Sequence, residues 1–221
     1  MYYTKDKGKM FYLPGGGSLV ACSTIILAGG QSKRMGETKA LMSVGNQKVL
    51  DRLIAMFTPL SEEMILITNE PTLYEQYEVN ILVDVDEFKG QGPLAGIYTG
   101  LVTAKTHSCF VVACDMPFAS KTCSLALMKE RERDDYDAVI PAYKGRLHPL
   151  FGAYHPRVAP IIRQQLLSDQ RKMICFLERI KVKIVEKEGT EWEYALWNMN
   201  TREDYKDAQR IVQKLKDERG E

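Results

Sequence analysis

The chain lacks several features that would place it quickly. Its five cysteines (Cys22, Cys109, Cys114, Cys123, Cys175) are odd in number and scattered. None forms a CxxC pair, so metal-site and disulfide-scaffold readings lose their main support. Cys109 and Cys114 sit in a strongly apolar run, which suits buried free thiols in a reducing compartment. Neither sign of charge is in excess: 30 Lys and Arg stand against 29 Asp and Glu, for a net +1. Bulk nucleic-acid binding, which shows itself as a strongly basic face, is therefore not expected. No apolar run approaches the length of a membrane-spanning helix, and the start lacks the charged-then-apolar order of a signal peptide. A cytoplasmic protein with no membrane partner is expected.

Residues 1–18 also lack something, namely any helical or strand period. They hold Pro14 and the triplet Gly15-Gly16-Gly17. The composition predicts a disordered extension. Glycine codons are G-rich, and these lie just upstream of Leu19 and Val20, which alternative start codons can encode. The expectation is that the triplet is a translated ribosome-binding site, that residues 1–18 are non-native, and that 19–221 form one domain.

From Thr24 onward, apolar runs alternate with helical patterns. STIILA, EMILIT, VNILVD and SCFVVACD are short and apolar, as buried strands are. KVLDRLIAMF spaces Val49, Leu50, Leu53, Ile54 and Phe57 for a helix. GPLAGIYTGLVTA predicts a helix starting at Pro93, and SKTCSLALMKERE another. Such a βαβα rhythm with fully apolar strands implies an α/β fold: a mostly parallel, twisted sheet with helices on both faces, three layers in all. Later, DAVIPAY and LHPLFGAY flank the link Lys144-Gly145-Arg146 as a strand pair or bent connection. RVAPIIRQQLL and KMICFLERI read as helices, VKIVE as a strand, and 203–218 as a charged terminal helix.

The informative stretch is ILAGGQSKRMGETKAL. Gly29 and Gly30 end the first strand, where backbone must approach a ligand closely or adopt positive φ. In a parallel sheet, ligands bind outside the carboxyl ends of the strands. Successive amide N–H groups there surround an anion, and Lys33, Arg34 and Lys39 add formal charge. Arg34 suits bidentate phosphate contact, and Lys39 acts as a point charge. The spelling is neither GxGxxG nor GxxxxGK[ST]. A polyphosphate loop is the functional reading; a tight strand–helix turn with solvated cations is the bland one.

Asp115 follows the most apolar strand, so its carboxylate should emerge at the same edge. It suits Mg²⁺, which takes one or two carboxylates plus substrate phosphates; a turn or N-cap aspartate is the alternative. Asn69 ends another strand and is equally a turn former. Asn198 and Asn200 alternate, and along a strand they would point the same way, towards a polar, multi-heteroatom ligand. Alternatively, Thr201 caps the last helix and the asparagines satisfy loop backbone. Arg146 and His148 lie in the predicted strand pair near Pro149, an acceptor-phosphate candidate, with His148 read as structural rather than as a base.

The string Leu27–Leu41 resembles the signature of nucleotidyltransferases with a glycosyltransferase-A-like fold. It looks most like the molybdenum cofactor guanylyltransferases, whose loop reads LAGGxSxRMGxxKAL. GPLAGI (92–97), CDMPF (114–118) and NMNT (198–201) resemble three further motifs in family order, and the likeness spans 23–210. It implies that Leu27, Ala28, Gly29 and Gly30 edge the guanine, that Asn69 and Asp84 (rather than Asp86) contact the nucleotide, and that Asp115 holds Mg²⁺. Arg34, Lys39 and the metal would stabilise departing pyrophosphate. Arg146, Asn198 and Asn200 would meet the acceptor.

The implied reaction is GMP transfer from Mg·GTP to the terminal phosphate of molybdenum-molybdopterin, with molybdoenzymes or their chaperones receiving the product. A phosphate monoester is already mostly dianionic at neutral pH, its second pKa being ~6, so no general base is required. That agrees with the absence of a nucleophile–base pattern. Alternatives are a cytidylyltransferase of the same fold, acting on the molybdenum cofactor or a sugar-alcohol phosphate, and a non-catalytic molybdopterin carrier. The LAGG spelling and the NMNT segment favour guanine, and a carrier would not need Lys39 and Asp115 together.

Overall fold

In the computed structural model, which describes residues 11–12, 18–19, 21–29 and 38–219, the apolar runs assemble into one mixed sheet. Its strands are β1 (Ser23–Leu27), β2 (Glu63–Ile67), β3 (Asn80–Leu82), β4 (Cys109–Ala113), β5 (Ala138–Tyr143), β6 (Arg146–Leu147), β7 (Phe151–Tyr154) and β8 (Val182–Lys187). Neighbours run β3-β2-β1-β4-β7-β5, and β6 and β8 also pair with β5. The β1–β2, β1–β4, β2–β3 and β5–β8 ladders are parallel; β7 runs against β4 and β5. The sheet is thus mostly parallel, as the sequence predicts.

Among the described residues seven α-helices follow in chain order: α1 (Val49–Phe57), α2 (Pro93–Thr103), α3 (Lys121–Arg133), α4 (Ala159–Leu167), α5 (Met173–Leu177), α6 (Thr190–Ala195) and α7 (Arg202–Arg219). Side-chain alternation divides the core into two. Ile26, Leu66 and Val112 face α1, α3 and α7, whereas Ile25, Leu27, Ile65, Ile67 and Val111 face α2 and α4. Every residue of β1 and β4 is buried, because both faces are covered. Full burial of one such aliphatic side chain stabilises the fold by about 1.5–3 kcal/mol.

Local chemistry sets several boundaries. Ser120 caps α3 by accepting the Cys123 N–H at 3.3 Å. Proline opens α2, and the preceding Gly92 has φ +84°, a conformation L side chains rarely adopt. The β5–β6 link turns through Lys144 (φ 50°) and Gly145 (φ 73°), so the expected strand pair is a tight hairpin with both central residues left-handed. Residues 197–200 are irregular rather than a strand, and Thr201 Oγ1 caps α7 by accepting the Asp204 N–H at 3.1 Å, the alternative reading of that segment.

Of the predicted N-terminal extension, Phe11–Tyr12 pairs antiparallel with Ser18–Leu19; its other residues lie outside those described. Among the described residues no helix is long and apolar enough to cross a membrane.

Candidate active site

β1 and β4 are parallel neighbours, with Leu27 level with Ala113. Beyond them the ladder continues by one step: Cys114 N–H donates to Leu27 C=O at 3.0 Å, and Ala28 N–H to Ile67 C=O at 2.8 Å. This extension delivers two chain segments to one sheet edge. Leu27, Ala28 and Gly29 form one wall of a pocket, and Ala113, Cys114 and Asp115 form another. Thr38, Lys39, Pro93 and Leu150 complete the lining among the described residues.

Lys39 begins a single 3-10 turn, Lys39–Leu41, pinned by the fully buried Ala40. Its ammonium lies 3.8 Å from Asp115 Oδ2, with both side chains about one-fifth exposed (18% and 20%). The closer partner of Lys39 is Asn200, whose Oδ1 accepts from Nζ at 2.7 Å. Asn198 Nδ2 donates to Asp115 Oδ1 at 3.0 Å, and Met199 N–H donates to the Asp115 carbonyl at 2.7 Å. Irregular backbone at 198–200 thereby ties both asparagines to the cation and the carboxylate.

Burial raises the Asp115 carboxyl above the usual carboxylate range, although Lys39 and the Asn198 amide pull the other way. Desolvation outweighs them, the ion pair being longer than a hydrogen bond. Burial, with the Asp115 charge adding to it, also pushes the Cys114 thiol up to about 12. That thiol stays protonated at neutral pH and is a poor nucleophile. His148 is depressed by burial and by Arg146, which keeps it neutral.

A second cluster adjoins the pocket at Gly29. A Cβ on Gly29 would come within 3.8 Å of Asn69 Nδ2. Asn69 donates in turn to Asp84 Oδ2 at 3.3 Å, which also accepts the Gly90 N–H at 3.2 Å. Asp84 is buried and Asp86 is exposed. The buried carboxylate thus ties a strand-end amide to the glycine loop that precedes α2.

The predicted residues divide clearly by place. Leu27, Ala28, Gly29, Lys39 and Asp115 share the pocket, with Asn198 and Asn200 bonded to its charged pair and Asn69 and Asp84 adjoining it. Arg146 is exposed on β6 and is not among the pocket-lining residues. Gly30, Lys33 and Arg34 lie outside the described residues. Among those described, no three His, Cys, Asp or Glu cluster as a preformed metal site. A lone buried carboxylate with a raised pKa nevertheless fits Mg²⁺ that arrives with substrate phosphates.

Sequence reasoning missed Thr38, Cys114 and Leu150 as lining residues, and Gly90 as a partner of Asp84. Thr38 and Cys114 each precede a predicted residue, a usable signal. Leu150 reaches the pocket because Ala113 N–H donates to its carbonyl at 3.0 Å, a contact invisible in the sequence.

Residues 24–184 match the family model described as a MobA-like NTP transferase domain. A probable molybdenum cofactor guanylyltransferase from Carboxydothermus hydrogenoformans is 37% identical over 190 residues, 84% of this chain and 94% of that protein. One of the same description from Bacillus cereus (strain G9842) is 35% identical over 193 residues, covering 84% and 94%. The crystal structure of molybdopterin-guanine dinucleotide biosynthesis protein A from Archaeoglobus fulgidus superposes with a TM-score of 0.77 at 26% identity, over 87% of this chain and 99% of that one. The 2-C-methyl-D-erythritol 4-phosphate cytidylyltransferase of Thermus thermophilus shares the fold, with a TM-score of 0.64 at 15% identity over 88% and 99%.

Proposed function

The chain belongs to the MobA-like NTP transferase family and is a nucleotidyltransferase, and we propose that it transfers GMP from GTP to the terminal phosphate of molybdenum-molybdopterin, releasing pyrophosphate. The observation that carries this reading is the Lys39–Asp115 pair, cation and carboxylate side by side at the sheet edge. The names of the relatives support guanine and molybdopterin.

In this reading Leu27, Ala28 and Gly29, with Gly30, present backbone amides and carbonyls to the base. Asn69 contacts the nucleoside beside them, and Asp84 holds Asn69 and the Gly90 loop in place. Asp115 would hold Mg²⁺, which when bound supplies positive charge to the triphosphate. Lys39 and Arg34 would stabilise the departing pyrophosphate. Arg146 serves the acceptor's phosphate, and Asn198 and Asn200 border the acceptor side while holding Asp115 and Lys39. A dianionic acceptor phosphate attacks the α-phosphorus in line, so the protein's work is positioning and charge stabilisation rather than proton removal. The protonated Cys114 thiol agrees with a reaction that does not use it as a nucleophile. The reading places the protein in the cytoplasm, where nucleotide and pterin are made available to it.

Thermal unfolding with Mg²⁺ plus GTP, CTP, ATP or UTP tests the reading. A ligand at 100 times its Kd stabilises by ~2.7 kcal/mol, which for a domain of this size raises Tm by roughly 5–10 °C. The expected result is a Mg²⁺-dependent shift with GTP alone. A shift with CTP would move the assignment to a cytidylyltransferase, and the absence of any shift would favour a molybdopterin carrier.

A further inference from the structure

Lys39 is held by a residue 161 positions away. Its ammonium donates to Asn200 Oδ1 at 2.7 Å, more than an ångström closer than its contact with Asp115. Left alone, a lysine on a flexible stem would close onto the neighbouring carboxylate. A collapsed pair would occupy the Asp115 oxygens and spend the lysine's charge on them.

What holds Asn200 is the start of α7. Asp204 Oδ2 accepts the backbone N–H of Asn200 at 2.7 Å and of Thr201 at 2.8 Å, and Thr201 Oγ1 accepts the Asp204 N–H at 3.1 Å. This reciprocal cap uses the backbone of residue 200 and leaves its side chain free for Lys39. The same helix grips the chain just past Lys39 from the other side. Tyr205 Oη and Gln209 Nε2 donate to the Ser43 carbonyl at 3.0 and 2.8 Å, and Gln209 Oε1 accepts the Gly45 N–H at 2.9 Å. Gly45 lies so close to Val212 that a Cβ there would come within 2.8 Å of Cγ1. One helix therefore fixes both the turn that carries Lys39 and the amide that receives it.

We propose that Asn200 is a positioning residue for Lys39, anchored by α7, which holds the ammonium off Asp115 and aims it at the nucleotide phosphates. The placement stands on the free protein's geometry; its use in nucleotide binding rests on the nucleotidyl-transfer reading above. Asn200 is exposed, so Asn200→Ala removes the acceptor without loss of packing and keeps the backbone cap.

The first readout needs no ligand. Limited amine acylation followed by peptide mass spectrometry should label Lys39 several-fold more slowly in Asn200→Ala than in the parent, because the ammonium closes onto Asp115, with the other lysines unchanged. An unchanged Lys39 rate would overturn the proposal. The second readout is a double-mutant cycle on Mg²⁺–nucleotide affinity, using whichever of GTP and CTP the parent binds. Asn200→Ala should weaken binding roughly tenfold in the parent, as losing one charge-assisted hydrogen bond does, and by nothing in a Lys39→Ala background. Equal losses in both backgrounds would mean that Asn200 acts on the nucleotide independently of Lys39, and a rise only in acceptor KM would mark it as a direct acceptor contact; either result overturns the proposal. Slower Lys39 labelling in Asn200→Ala, with a parent that binds neither nucleotide, would keep the placement and overturn the nucleotidyl-transfer reading alone.

Discussion

Lys39 and Asp115 face each other across 3.8 Å, each bonded more closely to an asparagine than to the other. The pair is thus open, with a cation and a carboxylate both directed into one pocket and neither neutralised by contact. Such an arrangement suits a triphosphate with its metal better than it suits structural pairing, because a buried ion pair kept for stability gains most at full contact.

Removing either member should damage chemistry more than folding. Lys39→Ala and Asp115→Ala are each expected to lower turnover by roughly 10²-fold or more, as loss of an electrostatic stabiliser does. Steady-state assays of guanylyl transfer by the purified variants check this. Near-normal turnover by either variant would remove that residue from its role.

Asp115→Asn should make the unliganded protein more stable at neutral pH while disabling it. Burial in the folded protein raises the Asp115 pKa above its ordinary value, so the native state binds more protons than the unfolded chain between the two. Stability therefore falls as pH rises from the unfolded pKa through the folded one, and the full cost persists above it. The neutral amide escapes that cost. Its Tm advantage should be absent at pH values below the unfolded pKa, grow as pH rises, and level off above the folded pKa. Differential scanning calorimetry in chelator across that range would show it; an advantage that grew towards acid pH would contradict the assignment.

Asp84 carries two donors, Asn69 Nδ2 and Gly90 N–H. Asp84→Ala leaves both without their acceptor at part-buried bonds, at a cost of up to ~1–3 kcal/mol for each group that water does not reach. Chemical denaturation should register the loss, and nucleotide KM should rise because Asn69 and the Gly90 loop are released together. Asp84→Asn, which retains one acceptor oxygen, should recover part of the stability.

Gly100 lets α2 approach β1. A Cβ at that position would come within 2.6 Å of Ile25 Cγ2 and 2.7 Å of Cδ1. Gly100→Ala is expected to destabilise the protein by ~1–3 kcal/mol through overpacking, measured by urea unfolding. Trimming the neighbour in a Gly100→Ala/Ile25→Val double variant should return part of that loss; strict additivity would mean the two residues do not press on each other.

Much of the fold was legible because burial on both faces leaves a plain mark. β1 and β4 are continuous apolar runs, and α1 shows its buried stripe of Val49, Leu50, Leu53 and Phe57 at helical spacing. The hairpin at Lys144-Gly145 was readable from its flanking runs. For residues 197–200 the sequence left a strand and a Thr201-capped loop open, and the structure has the loop. Their backbone follows Asp115 rather than a ladder partner, and Met199 N–H goes to the Asp115 carbonyl.

By itself, then, the sequence determined the parallel core, the strand-end glycine loop and the identity of the charged residues near it, because hydrophobic period and local turn chemistry act over a few residues. Tertiary structure alone decided which charges meet. Lys39 finds Asn200, Asp115 finds Asn198, and Asp84 rather than Asp86 is the buried carboxylate. Those pairings depend on how α7 and the sheet edge close on each other in space, and separation along the chain carries no signal of it.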